Sequence, residues 1–198
     1  SPFSGDVDRS SGTTPDWRTL LVGTLGAGGK GYFILDVTKP GSPTSTIEGA
    51  VDNSFSKGNA STLVVLDKTA HKDETFATNA VERDIGHIFA QPVVDDISPH
   101  FTNQITRLNN GRWAVVMGNG YNSTNERPVL LIQYLSGSDT SIKTIPAAAV
   151  GSANAASNGL SAPRLVDING DGTPDVAYAG DLRGNLWKFD ISSGNADE

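Results

Sequence analysis

Pro163 to Asp190 reads PRLVDINGDGTPDVAYAGDLRGNLWKFD. Its apolar runs, Arg164 to Ile168, Asp175 to Gly180 and Gly184 to Asp190, are short, rich in β-formers and bounded by Gly, Asn and Asp. Such runs are the signature of strands joined by tight turns, here an antiparallel meander. The first turn, Asp167 to Asp175, is chemically specific. Asp167, Asn169 and Asp171 alternate, Gly172 follows, and Asp175 closes the run. Alternating acidic residues in a tight loop converge on one point, and a hard cation such as Ca²⁺ takes six to eight oxygens. Gly172 falls where an EF-hand-type loop makes its sharp turn, and Thr173 follows with its backbone carbonyl. The twelfth position is Tyr178, so the bidentate Glu of a true EF-hand is missing and Asp175 has to complete the shell. Three carboxylates roughly 5 Å apart repel by about 3 kcal/mol per pair at an effective dielectric near 20, less where solvent reaches them. That argues for a bound cation. The competing reading is a turn that binds nothing, because Asn, Asp and Gly favour turns anyway.

The same frame recurs upstream. Pro2 to Val7 (PFSGDV), Pro92 to Ile97 (PVVDDI) and Pro163 to Ile168 share Pro-x-x-x-Asp followed by Val or Ile. Each precedes an apolar strand ending in Gly: Trp17 to Gly23, Trp113 to Gly118 and Asp175 to Gly180. After a polar turn comes another strand: Gly31 to Asp36, Pro128 to Tyr134 and Gly184 to Asp190. Fourth strands fit Ser61 to Asp67 and Ser141 to Ile145. Four-stranded antiparallel units in tandem are the sequence form of β-propeller blades. The expectation is an all-β chain of about three such units, near 2–86, 87–159 and 160–198, within one propeller domain. A ring needs about four to eight blades, so this is an arc, a fragment of a longer protein. A complete small sandwich is the alternative. Gly41 to Gly86 reads as an elaborated loop, and Ala147 to Gly159 as a flexible connection between blades with at most one helical turn.

Composition narrows the function classes. Glycine is abundant (22 residues) and only 19% of the 198 residues are charged, which suits a turn-rich β protein. A net charge of −7 without a Lys/Arg cluster excludes a nucleic-acid surface. With no cysteine, neither disulfides nor a Cys-based zinc site can form. No apolar run reaches membrane-spanning length and no signal peptide is read, so an exported parent contributes these residues from its mature part.

Other motifs resolve to structural roles. Gly26, Gly28 and Gly31 match GxGxxG, but β-forming YFILDV follows where a dinucleotide site needs a helix, so a hairpin loop is expected. His71, His87 and His100 show no ligand spacing, and neither a GxSxG elbow nor a Cys nucleophile exists. Asp6 with Asp8, and Asp95 with Asp96, read as turn residues at strand ends. Tyr32, Phe33, Trp113 and Trp187 read as packing between blades.

The third unit resembles the C-terminal propeller of the PilY/PilC family of type IV pilus tip-associated proteins. GRWAVVMGNGYNS (Gly111 to Ser123), WRTLLVGTLGAGGKGYFILDVTKP (Trp17 to Pro40) and IGHIFAQPVV (Ile85 to Val94) support the resemblance. It implies a quinoprotein-like propeller, non-enzymatic, exported in a Gram-negative bacterium to the outer membrane or pilus tip. It implies pilins or minor pilins as partners, a host or abiotic surface as an adhesion target, and a role in twitching motility. One Ca²⁺ in the Asp-rich loop would bias pilus extension against retraction, its ligands being Asp167, Asn169, Asp171, the Thr173 carbonyl and Asp175. Asn169 stands where the family commonly has Asp, which should lower affinity modestly. Two rival readings are blades of a pyrroloquinoline quinone dehydrogenase, which GDLRGNLWKFD also resembles, and a generic FG-GAP-type calcium propeller.

Overall fold

Short runs of β-branched and aromatic residues, cut by Gly, Asn and Asp, form the strands of this chain. The computed structural model describes residues 2–38, 57–69, 81–89 and 103–195. Among them the strands are β1 (Phe3–Asp8), β2 (Trp17–Thr24), β3 (Gly31–Asp36), β4 (Val64–Thr69), β5 (Ile105–Arg107), β6 (Trp113–Gly118), β7 (Val129–Tyr134), β8 (Ile142–Pro146), β9 (Arg164–Val166), β10 (Val176–Gly180) and β11 (Leu186–Asp190). They make three antiparallel meanders, ordered β1-β2-β3-β4, β5-β6-β7-β8 and β11-β10-β9. Register follows the hairpins: Asp8 pairs Trp17, Leu20 pairs Asp36, Ala114 pairs Tyr134, and Val176 pairs both Asp190 and Val166.

Burial shows how the sheets stack. β7 is buried along its whole length and β6 at every residue after Trp113. Successive side chains of a strand point to opposite faces. Val115, Met117, Val129 and Leu131 pack with Val7, Leu20, Val22, Tyr32 and Ile34 of the first sheet. Their neighbours Ala114, Val116, Leu130 and Ile132 pack with Leu165, Ala177, Ala179 and Phe189 of the third. The middle sheet is therefore covered on both faces, each large apolar side chain contributing about 1.5–3 kcal/mol. Sheets stacked face to face through alternate residues are blades, and the architecture is a partial β-propeller. A buried polar link accompanies the first interface, where the Tyr32 hydroxyl donates to Gln133 Oε1 at 2.7 Å.

Part of the sequence reading falls outside the described residues, and the structure differs from it in three other places. The frame Pro92 to Ile97 lies outside the described residues, as do Asp95, Asp96, His71 and His100. The middle sheet opens on Ile105–Arg107, a stretch too short and polar to have been read as a strand. The fourth strand of the first sheet begins at Val64, because Ala60–Leu63 forms a helical turn whose Leu63 is buried. The apolar run LVVL thus serves two elements. Residues 149–158, expected as a flexible connection, form successive turns closed by Ser152 N–H to the Ala149 carbonyl, Ala155 N–H to Ser152 and Asn158 N–H to Ala155.

Candidate metal centre

The Asp-rich loop joins β9 to β10 at one end of the third sheet. Backbone hydrogen bonds fix its base: Asp175 N–H donates to the Val166 carbonyl, and Ile191 N–H donates to the Asp175 carbonyl, both at 2.9 Å. Asp175 is itself buried, with Oδ2 accepting from Ile168 N–H at 2.9 Å. Gly170 and Gly172 take φ of 78° and 88°, which lets the chain turn tightly enough for its amides to face inward. Asp167 receives those amides, Gly170 on Oδ1 at 2.7 Å and Gly172 on Oδ2 at 2.8 Å. Asn169 Oδ1 accepts from Asp171 N–H at 2.8 Å, and its amide donates to Asp171 Oδ2 at 3.1 Å. Asp171 Oδ1 accepts from the Thr173 hydroxyl at 2.6 Å and from Thr173 N–H at 2.8 Å. The Thr173 hydroxyl first, then its amide, hold the Asp171 carboxyl below the ordinary carboxylate range.

All five expected ligands thus lie in one loop. Among the described residues no three acidic or histidine side chains converge as a metal set. Asp167 and Asp171 face their own backbone amides, and Asp175 faces the loop base. The donor set still suits a hard cation, since every donor is an oxygen and three are carboxylates. Each carboxylate oxygen has about two acceptor directions, so the amide bonds occupy only part of the capacity. Rotation of the exposed Asp167 and Asp171 side chains would exchange these loop contacts for a cation.

The residues that tie the sheets together were not found from sequence. Asn119 is fully buried and meets its hydrogen-bonding capacity: Oδ1 accepts from Val129 and Leu160 N–H at 3.1 and 3.0 Å, and Nδ2 donates to the Asp84 and Arg127 carbonyls, both at 2.8 Å. Asn158, also fully buried, accepts from Gly159 and Leu182 N–H and donates to the Asn154 carbonyl and Asp181 Oδ2. Asp181 collects five donors. Arg183 and Asn185 N–H reach Oδ1, while Asn158 Nδ2, Asn185 Nδ2 and Trp187 Nε1 reach Oδ2, all at 2.8–2.9 Å. Burial pushes this carboxyl up, but the hydrogen bonds from Asn185, Trp187 and Asn158 outweigh it and hold the pKa far below the usual range. Trp187, expected purely as packing, is therefore also a donor. The buried Asp84 carboxylate takes a two-point bond from Arg127, at 2.9 and 2.8 Å, and a third from Asn125 at 2.8 Å. The available signal was the pattern of Asn and Asp beside Gly, in GNGYN, SNGL and GDLRGN, which is easily read as ordinary turn chemistry.

The remaining motifs keep structural roles. Gly26–Gly28 is a short 3-10 turn in the β2–β3 hairpin, with no helix after it, so no pyrophosphate cradle forms. His87 contacts the Gly26 carbonyl through Nδ1 at 2.8 Å and stacks on Tyr121, which in turn stacks on Phe89. Beside this stack, a cavity of about 320 Å³ is lined by Phe3, Met117, Leu160 and Leu182 among others. Gly120 allows the close approach here: at φ 68°, a Cβ would strike the His87 carbonyl oxygen. Asp8 ends β1 and accepts from Ser10 and Asp16 N–H, as expected of a turn residue. Asp6 instead lies within β1 and accepts from the hydroxyl of its cross-strand partner Thr19, so it is a strand residue and not the turn residue expected from sequence. Among the described residues no helix is long and apolar enough to cross a membrane.

Radially stacked antiparallel sheets with an Asp-rich inter-strand loop define an arc of a β-propeller. The chain belongs to the PilY1 β-propeller domain family, whose model matches residues 7–198. It is 39% identical over 182 residues to the type IV pilus biogenesis factor PilY1 of Pseudomonas aeruginosa strain PAO1, covering 92% of this chain and 12% of that protein. A PilY1 homologue of Xylella fastidiosa strain Temecula1 is 35% identical over 182 residues, covering 89% of this chain and 10% of the relative. The crystal structure of the Pseudomonas aeruginosa PilY1 C-terminal domain superposes with a TM-score of 0.63 at 34% identity, covering 96% of this chain and 30% of that one. The chain thus spans about a tenth of the curated relatives and under a third of the solved domain. The PilY/PilC resemblance read from the sequence is confirmed, and so is the partial-propeller fold.

Proposed function

We propose that this chain is a calcium-binding, non-catalytic part of the propeller of a type IV pilus biogenesis factor. Such a factor would act at the cell surface or pilus tip, with pilins or minor pilins as partners. It would influence the balance of pilus extension and retraction, and with it adhesion and twitching motility. The observation that carries this reading is the family match over residues 7–198. The calcium part rests on the oxygen donors of Asp167 to Asp175.

Asp167, Asn169, Asp171, the Thr173 carbonyl and Asp175 would hold the ion. Bound Ca²⁺ would supply positive charge that offsets repulsion among the three carboxylates and ties the two ends of the loop together. The chain's own residues set how the loop responds. Asp175 is fixed by Ile168 N–H and by the β9–β11 backbone bonds, so it is a rigid ligand. Asp167 and Asp171 are exposed and held by bonds within the loop, and Asn169 brings an amide oxygen in place of a charge. A loop with three carboxylates and no twelfth-position Glu suits roughly 10⁻⁵ to 10⁻³ M affinity, the range of extracellular modules.

The test pairs calorimetry with pilus assays on cells carrying Asp167→Ala with Asp171→Ala. The expected result is one calcium bound by the unaltered protein, none by the variant, and altered surface piliation or twitching at normal protein levels. Unchanged calcium binding in the variant would remove the loop as the site. Wild-type piliation and twitching with binding abolished would remove its role in the pilus.

A further inference from the structure

We infer that Asn109, on the neighbouring sheet, is a positioning residue for the Asp-rich loop, and that it couples cation binding there to the seam between the β5–β8 and β9–β11 sheets. The inference rests on the calcium reading above. Asn109 lies in the β5–β6 turn, which is closed by Leu108 N–H to the Arg112 carbonyl and Gly111 N–H to Leu108. Its side chain leaves that turn and crosses to the third sheet. Nδ2 donates to the Pro174 carbonyl at 3.0 Å and lies 3.5 Å from both Asp175 Oδ1 and the Ile191 carbonyl. Oδ1 accepts from the Thr173 hydroxyl at 3.1 Å. The amide orientation is fixed by chemistry, since turning it over would set Oδ1 against three acceptors. One side chain thus touches the seventh, eighth and ninth positions of the loop and the carbonyl just after β11.

The coupling comes from a choice made by one proton. The Thr173 hydroxyl has a single hydrogen and two acceptors, Asp171 Oδ1 at 2.6 Å and Asn109 Oδ1 at 3.1 Å. The shorter bond, to the anionic oxygen, prevails while Asp171 faces its own turn. When Asp171 rotates to present its oxygens to a cation, that acceptor is withdrawn and the Thr173 proton turns to Asn109. Asp175, the rigid ligand, is held from its other side by the Asn109 amide. Loading the loop therefore tightens a bond between two blades, and loosening that bond weakens the loop's grip. Reciprocity of this kind is required of any coupling between binding free energies.

The test measures calcium affinity, and hydrogen–deuterium exchange with and without saturating calcium, in the full-length protein, its Asn109→Ala variant and its Thr173→Val variant. The valine keeps the Thr173 backbone carbonyl and removes only the hydroxyl. In the unaltered protein, calcium should slow exchange both in residues 167–175 and across the seam in residues 105–113. In either variant, calcium should still slow exchange in 167–175, while the response in 105–113 disappears. The dissociation constant of Asn109→Ala should rise about two- to tenfold, the worth of one neutral hydrogen bond. Should one variant fail to fold, the other carries the same test. A simple packing role for Asn109 would change exchange in 105–113 equally with and without calcium. That result would overturn the coupling, as would a full calcium response at 105–113 in both variants. An unaltered protein that binds calcium without any response at 105–113 overturns the coupling alone. An unaltered protein that binds no calcium overturns the calcium reading, and the coupling with it.

Discussion

Asp181→Asn is nearly isosteric, yet it should destabilise the third sheet substantially. Every direction from the Asp181 carboxylate meets a donor: two backbone amides at Oδ1, and Asn158, Asn185 and Trp187 at Oδ2. An asparagine must point its own NH₂ at one of these sets, whichever way it turns. The less costly choice sets NH₂ against the Arg183 and Asn185 amides, leaving both unpaired and weakening the three remaining bonds by loss of charge. Hydrogen bonds to charged groups contribute about 1.5–3 kcal/mol each, and partial solvent access lowers the net loss to about 2–4 kcal/mol. For a chain of this size that is a fall in Tm of roughly 5–15 °C. The pH dependence has a definite sign. A carboxyl whose folded pKa is depressed stabilises the fold above its unfolded pKa, about 3.9, and loses that contribution as pH falls further. The Tm gap between the unaltered protein and Asp181→Asn should be constant above about pH 5 and narrow below about pH 4. Thermal unfolding followed by circular dichroism from pH 3 to 7 measures it. A gap under 1 °C at neutral pH, or one that does not narrow in acid, would refute the reasoning.

Asn119→Ala should cost about 3–5 kcal/mol, because four backbone partners, most of them buried, lose a side-chain bond in one step; chemical denaturation gives the value. Arg127→Met removes the two-point bond from the buried Asp84 carboxylate and should cost about 3–5 kcal/mol, whereas Arg127→Met combined with Asp84→Leu should recover part of the loss. Asp167→Ala with Asp171→Ala should abolish calcium binding by calorimetry and leave the calcium-free Tm within about 3 °C, since both side chains are exposed and bond only within their own loop.

The strands with regular β-forming sequence were legible. β3, β6, β7, β10 and β11 fall within the apolar runs read from residues, and β2 passes its run only by Thr24, because apolar alternation and Gly-bounded ends report directly on a packed strand. β5 was not legible: three residues, one of them Arg107, carry too little pattern, and only their pairing with β6 makes them a strand. The helical turn Ala60–Leu63 was missed because Leu63 continues the apolar run of β4. The Asp-rich loop declared itself through a dense local motif. Its dependence on Asn109 did not, since that residue lies far upstream and looks like any turn asparagine in RLNNGR. The same holds for Asn119, which reaches Asp84 and Leu160, and for the bond between Asn158 and Asp181, which joins residues 23 apart in sequence. Local chemistry can be read from spacing, whereas contacts between blades are set by the stacking of sheets.

The central claim is that a hard cation belongs among the oxygens of Asp167, Asn169, Asp171, Thr173 and Asp175. Crystals of the protein grown with millimolar calcium, measured at a wavelength with appreciable calcium anomalous scattering, test it most directly. The expected result is one anomalous peak in this loop, with six or more oxygens at about 2.3–2.6 Å and Asp167 and Asp171 turned toward it. A well-ordered loop with no anomalous density there, its carboxylates still on the Gly170, Gly172 and Thr173 amides, would contradict it.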